Sequence, residues 1–175
     1  MNPPYIIVIN GPGGSGKDEF IKQAQLSTSR SILNISTVDP IKEAAKDLGW
    51  DGTKTEENRK FLSDLKDLCT KCFDTSFKYI ATQINFARKH KTADIIFIHC
   101  REPREIDRIV NIFGARTLFV DASERVETIT SNHADAETSN YTYDYVIDNN
   151  GTLDNLREQA ARLMRVIDWR LRMND

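Results

Sequence analysis

Long apolar runs are missing from this chain of 175 residues. None approaches the ~20 residues that a membrane-spanning helix needs, so no span and no membrane partner are expected. The N-terminus shows no basic stretch followed by an apolar stretch and a cleavage site, which gives a secretory signal peptide no support. Cysteine is scarce and odd in number, with Cys69, Cys72 and Cys100 alone. Such a count fits reduced thiols and a cytoplasmic location better than a disulfide framework. Cys69-x-x-Cys72 invites a metal reading, but a structural zinc wants four ligands and no second Cys/His pair stands at a matching spacing. Inside a helical pattern the two cysteines read instead as small core residues. Charge of one sign is not in excess either. A net charge of −2 and a pI near 6.0 argue against stable nucleic-acid binding, while leaving room for a local basic cleft. Repeats, low-complexity segments and linkers are absent. The length suits a single domain over 1–175 with a substantial core.

The most informative stretch that is present is Gly11-Pro12-Gly13-Gly14-Ser15-Gly16-Lys17. It follows an apolar run over 5–9 and precedes an amphipathic run starting near Glu19. Strand, glycine-rich turn, then helix is the setting in which a GxxxxGK string becomes a phosphate cradle. Glycines let successive N–H groups converge on one anion without Cβ clashes. The helix N-terminus adds partial positive charge. Lys17 would reach the terminal phosphates of a nucleoside triphosphate as a point charge. The bland alternative is a plain glycine-rich turn. Where Ser or Thr would ligate Mg²⁺, this chain carries Asp18. A carboxylate beside a triphosphate is unfavourable unless a metal or its water lies between them. Ser15 is the remaining hydroxyl available to the phosphates.

Beyond the loop, a short helix carrying Phe20, Ile21, Ala24 and Gln25 and a strand over 31–38 are expected. Asp39-Pro40 then opens a helix over 41–48, with Asp39 as its cap. Residues 49–54 form a turn-rich loop. From Thr55 onward Phe61, Leu65, Leu68, Cys72, Phe73, Phe77, Ile80, Ile84 and Ala87 recur at threes and fours, which predicts one buried stripe on one long helix or on two joined near Asp74. Arg59, Ser63, Lys66 and Thr70 lie on another face, which is either solvated or turned, through Arg59 and Lys66, to an acceptor phosphate. Asp94–His99 reads as a central parallel strand, ending in Cys100, Arg101, Glu102, Pro103, Arg104 and Glu105. Open α/β sheets bind ligands at that end of a strand. Arg101 offers a planar fork to phosphate oxygens, and Glu102 suits a metal or the acceptor. A helix over 106–113, a strand over 116–121, a polar segment over 123–140 that reads as a lid or a solvated loop, a strand over 143–147 and a last helix carrying Leu153 to Leu171 complete the chain.

This order resembles the P-loop (Walker A) kinase fold of (deoxy)nucleoside monophosphate kinases, and the GKD loop resembles that of phage-type deoxynucleoside monophosphate kinases and of phosphomevalonate kinases. Asp39-Pro-Ile-Lys42, Gly49-Trp50-Asp51-Gly52-x-Lys54 followed by Arg59, Arg101 to Glu105, and Tyr143 to Thr152 carry the likeness over nearly the whole chain. The resemblance implies an α/β P-loop NTPase fold with a five-stranded, mostly parallel sheet, helices on both faces and a short lid. It implies a donor site of Gly11, Gly13, Gly14, Ser15, Gly16, Lys17 and Asp18, with Asn149 and Gly151 beside the adenine. The acceptor region, about 39–90, would use Asp39, Lys42, Arg59, Lys66, Arg101 and Glu102. Lys17, Arg101 and Arg125 would neutralise charge during transfer, and Asp18, Asp39 or Glu102 would hold Mg²⁺, directly or through water. The expected activity is Mg²⁺-dependent transfer of the ATP γ-phosphoryl group to a (deoxy)nucleoside monophosphate by a monomer or homodimer. A kinase of another small phosphorylated acceptor, such as phosphomevalonate, and a non-catalytic nucleotide-binding regulator remain open at this point.

Overall fold

A computed structural model describes residues 3–53, 55–125 and 141–173. Most of the expected lid and Lys54 lie outside the described residues.

Two strands occupy the middle of the sheet because they are apolar on both faces. In β1 (Tyr5–Asn10), Ile7 and Ile9 enter one core and Ile6 and Val8 the other. In β3 (Ile95–His99), Ile95 and Phe97 side with the first core and Ile96 and Ile98 with the second. Side chains alternate along a strand, so an uninterrupted apolar run is one that is covered on both sides. β2 (Ile32–Ser36), β4 (Arg116–Asp121) and β5 (Tyr145–Asp148) complete a sheet of order β2-β3-β1-β4-β5, and every pairing is parallel.

Helices cover both faces. α1 (Lys17–Leu26) contributes Phe20, Ile21 and Ala24 to the first core. The last helix, α6 (Leu153–Met173), packs beside it through Leu156, Ala160, Leu163, Met164, Ile167 and Leu171. On the other face lie α4 (Thr75–His90), with Phe77, Ile80, Ile84 and Ala87, and α5 (Pro103–Phe113), with Ile106 and Ile109. The chain leaves β1 for one face and β3 for the other. These adjacent strands therefore form a switch point, with a crevice beyond their carboxyl ends.

Three expectations fail in α2 (Asp39–Asp47) and α3 (Glu56–Phe73). Asp39 does not cap α2 from outside. It is the first helical residue, and its Oδ2 accepts the Ser36 amide at 2.7 Å. The single buried stripe survives only on α4. No residue of α3 is buried, and Phe61, Leu68, Cys72 and Phe73 are exposed. The reason is position: α3 packs on α2 and α4 rather than on the sheet. Cys69 is half-buried and Cys72 exposed, so the two are not the core pair their spacing suggests. The break near Asp74 is present, with Asp74 at φ +56 between α3 and α4. Among the described residues no helix is long and apolar enough to cross a membrane.

Candidate functional site

The loop between β1 and α1 is shaped by contacts that only glycine permits. At Gly11, with φ +146, an added Cβ would stand 2.6 Å from the Val120 carbonyl oxygen. At Gly16, with φ +88, it would stand 2.3 Å from Asn149 Nδ2. Gly16 then serves as the cap residue of α1. Ser15 is fully buried; its amide donates to the Pro12 carbonyl and its carbonyl accepts from Asn149 Nδ2 at 2.8 Å. Lys17 Nζ donates to the carbonyls of Gly11 (2.6 Å) and Pro12 (2.7 Å). The amides of Gly13, Gly14 and Gly16 have no hydrogen-bond acceptor among the described residues. The loop's own side-chain cation thus sits on its carbonyls and leaves those N–H groups available to an anion.

Asn10, which sequence reasoning passed over, ties this loop to the neighbouring strand. Its Oδ1 accepts the Gly11 amide at 2.7 Å, while its Nδ2 donates to the Tyr143 hydroxyl (2.8 Å) and to the Arg101 carbonyl (3.4 Å). The available signal was a lone buried amide closing an apolar strand. Arg101 itself is half-buried at the end of β3.

His99 was also missed, having been read as the end of a core strand. Its Nε2 lies 3.6 Å from Asp18 Oδ1, beyond hydrogen-bond length. Burial holds the imidazole below its ordinary pKa; Asp18 and Asp39 pull it up, and Lys17 and Lys42 push it down. Lys17 and Asp18 of α1 and Asp39 and Lys42 of α2 therefore lie around one largely buried ring.

Lys66 pairs with Glu102 across α3 and the start of α5. Burial pushes the Glu102 carboxyl up, but Lys66 and the amides of Arg101 and Glu102 outweigh it and leave the group below the usual carboxylate range. Both residues lie beside a cavity of about 350 Å³.

Other expected residues are placed differently. Arg59 is exposed on α3. Lys42 Nζ is 4.0 Å from Asp39 Oδ1. Asp18, Asp39 and Glu102 do not converge: among the described residues no group of three His, Cys, Asp or Glu side chains could hold a metal ion. Asp39 is engaged with the Ser36 amide and Glu102 with Lys66, which leaves Asp18, 93% exposed, as the carboxylate open to one. Asn149 is 6% exposed and braces the loop through Ser15. Gly151 is exposed in the turn before α6. Arg125 is exposed, and its Nε donates to the Asn149 carbonyl. His133 and the rest of the expected lid fall outside the described residues.

No protein-family model matches the chain, and no curated protein matches it. Solved structures do. TT1252 from Thermus thermophilus is 18% identical over 94% of this chain and 98% of its own, with a TM-score of 0.52. A sugar kinase from Janibacter sp. HTCC2649 is 15% identical over 90% and 92%, with a TM-score of 0.51. A gluconokinase from Sinorhizobium meliloti 1021 is 13% identical over 100% and 99%, with a TM-score of 0.52. At such identities the likeness is one of fold: the chain shares the α/β fold of these structures, two of which are kinases by name.

Proposed function

We propose that the protein is a Mg²⁺-dependent kinase that moves the γ-phosphoryl group of ATP onto a (deoxy)nucleoside monophosphate. The observation that carries this reading is the loop of residues 11–17. Its Gly13, Gly14 and Gly16 amides have no acceptor among the described residues, its lysine rests on carbonyls that a phosphate would replace, and it lies at the switch point of a parallel sheet. Exchanging two neutral carbonyl bonds for charged phosphate oxygens favours binding, because charge-assisted hydrogen bonds are the stronger kind.

Each residue's task follows from its place. The loop amides and Lys17 grip the donor phosphates. Arg101, half-buried at the end of β3, presents a guanidinium fork to the acceptor phosphate. Arg125, whose Nε meets the Asn149 carbonyl, adds positive charge on the donor side. The residues present fit Mg²⁺ bound mainly by phosphate oxygens and water, with Asp18 as its one carboxylate. Magnesium would supply charge neutralisation on the phosphates. His99 lies beside the Asp18 carboxylate, with Nε2 3.6 Å from Oδ1. Transfer proceeds without a covalent enzyme intermediate, because alignment and fixed charge supply the rate.

A coupled ADP-release assay over all ribo- and deoxynucleoside monophosphates tests the reading. Mg²⁺-dependent release with at least one acceptor is expected. ATP binding without release across the panel would instead favour a nucleotide-binding regulator.

A further inference from the structure

Side chains alternate along β3, so His99 falls on the face of Ile95 and Phe97, in the core shared with α1. Phe97 meets Phe20 of α1 edge to face. The imidazole stands one step past that core, beside the first turn of α1. Its side chain is 18% exposed, and its Nε2 is buried with no hydrogen-bond partner among the described residues. Most buried side-chain polar atoms in folded proteins have a partner, so an orphaned ring nitrogen at the end of a core strand calls for one. The backbone of the same residue is held firmly. It pairs with Ile9 on one side and Ser36 on the other, and its carbonyl accepts the Thr37 amide at 3.1 Å. Three strands thus fix where the ring sits while its polar atom is left over.

One acceptor stands close. Asp18 Oδ1 lies 3.6 Å from Nε2, and roughly half an ångström of approach would bring the pair within hydrogen-bond range. Asp18 is free to make that approach, being 93% exposed in the first turn of α1. A helix dipole favours an acidic residue in a first turn, and Glu19 beside it fits that rule equally. The dipole accounts for a carboxylate at position 18 but not for the imidazole behind it. Asp39, the other carboxylate near the ring, is tied to the Ser36 amide. A neutral imidazole already carries one N–H, so the bond needs no added proton. The buried nitrogen offers a ligand no surface of its own, and any effect it has on the site passes through Asp18.

Position 18 is where a P-loop ordinarily places a Ser or Thr hydroxyl on Mg²⁺. A carboxylate there turns about one more bond than a hydroxyl and is repelled by the phosphates, so it has to be held. We propose that His99 is the positioning residue for Asp18: its Nε2–H donates to one carboxylate oxygen and directs the other to the divalent cation, or to its water, at the donor phosphates. Carboxylates that ligate metals are oriented by hydrogen-bond partners of this kind. The proposal rests on the phosphotransfer reading above and adds how a loop lacking the hydroxyl fixes its carboxylate.

The test uses the full chain with ADP and Mn²⁺ as probes. Electron paramagnetic resonance reads the affinity of the protein–ADP complex for Mn²⁺, calorimetry reads ADP binding without metal, and thermal unfolding confirms that each variant folds. His99→Leu keeps the volume and removes the N–H. It should weaken Mn²⁺ binding about 10–100-fold, the range for losing the partner of a metal ligand, with metal-free ADP binding unchanged. His99→Gln, whose amide nitrogen reaches about as far as Nε2, should restore most of the loss, and the shorter His99→Asn should not. That pair carries the test if His99→Leu does not fold. With Asp18→Asn already in place, His99→Leu should add no further loss. Unchanged Mn²⁺ affinity in every folded His99 variant, equal losses in His99→Gln and His99→Asn, or a further loss beyond Asp18→Asn overturns the role of His99 and leaves the kinase reading standing. ADP binding by the wild type that is indifferent to Mn²⁺ removes Asp18 as a metal ligand and the proposal with it. If the wild type binds no ADP with or without the metal, the kinase reading and the proposal both fall.

Discussion

The side-chain amide of Asn149 donates to the Ser15 carbonyl across 134 positions of sequence, at 2.8 Å. The same Nδ2 would lie 2.3 Å from any Cβ placed on Gly16. The loop after β5 and the loop after β1 are thus fitted to each other with no methyl group to spare. Removing the donor with Asn149→Ala leaves a buried carbonyl unpaired, and we expect a loss of about 1–3 kcal/mol in urea unfolding, with weaker ATP binding.

Gly16→Ala should be worse in the wild type than in Asn149→Ala. In the wild type it combines the left-handed strain, about 1–2 kcal/mol, with a steric collision. Without Asn149 only the strain remains. The double-mutant cycle should return a coupling of about 0.5–3 kcal/mol, the range for residues in contact. Additive losses would contradict the fit described here.

Lys17→Ala should leave the fold intact, because Lys17 is half-buried and its Nζ bonds the Gly11 and Pro12 carbonyls and the Ser15 hydroxyl of its own loop. Turnover should fall by about 10²–10³ or more, the scale for losing one preorganised charge-stabilising donor. Turnover close to wild type in the ADP-release assay would remove Lys17 from the donor site.

The Asp74–Arg108 pair gives stability a dependence on pH. Hydrogen bonds from the Arg108 guanidinium hold the Asp74 carboxyl below its usual range, against burial. A carboxyl depressed in the fold stabilises fully above its unfolded pKa, about 3.9. That contribution is lost as the pH falls through the folded value. The side chains are 32% and 38% exposed, so Asp74→Asn should cost no more than about 1 kcal/mol near neutrality. The gap to the wild type should close in unfolding curves taken below about pH 4. A gap that stays constant well below that acidity would mean that Asp74 acts through its backbone geometry instead.

The three thiols should separate by rate. Cys72 is exposed, Cys69 half-buried, and Cys100 2% exposed with its thiol pushed well up by burial. A thiolate-selective reagent should label Cys72 first and Cys69 more slowly, and should reach Cys100 only on unfolding. Mass spectrometry of timed samples reads the order. Early labelling at Cys100 would show that the end of β3 opens in the native protein.

Legibility followed locality. The β1–loop–α1 unit was readable because each of its signals lies within a few residues of the next. The apolar period on α4 was readable for the same reason. The identical period on α3 misled, because periodicity marks a stripe but does not say which side of a helix is covered. Asn10 and His99 were passed over because a single polar residue ending an apolar strand looks the same whether it braces a loop or faces solvent.

By itself the sequence determined the order of strands and helices, the turn that needs its glycines and the position of Lys17 at the start of α1, because backbone freedom and side-chain alternation are properties of neighbours along the chain. Only the tertiary structure decided that Asn149 locks Ser15, that Lys66 turns inward to Glu102, and that Asp39 and Glu102 are engaged away from Asp18. Those pairings depend on which faces meet once the cores on both sides of the sheet have closed, and no spacing along the chain encodes that.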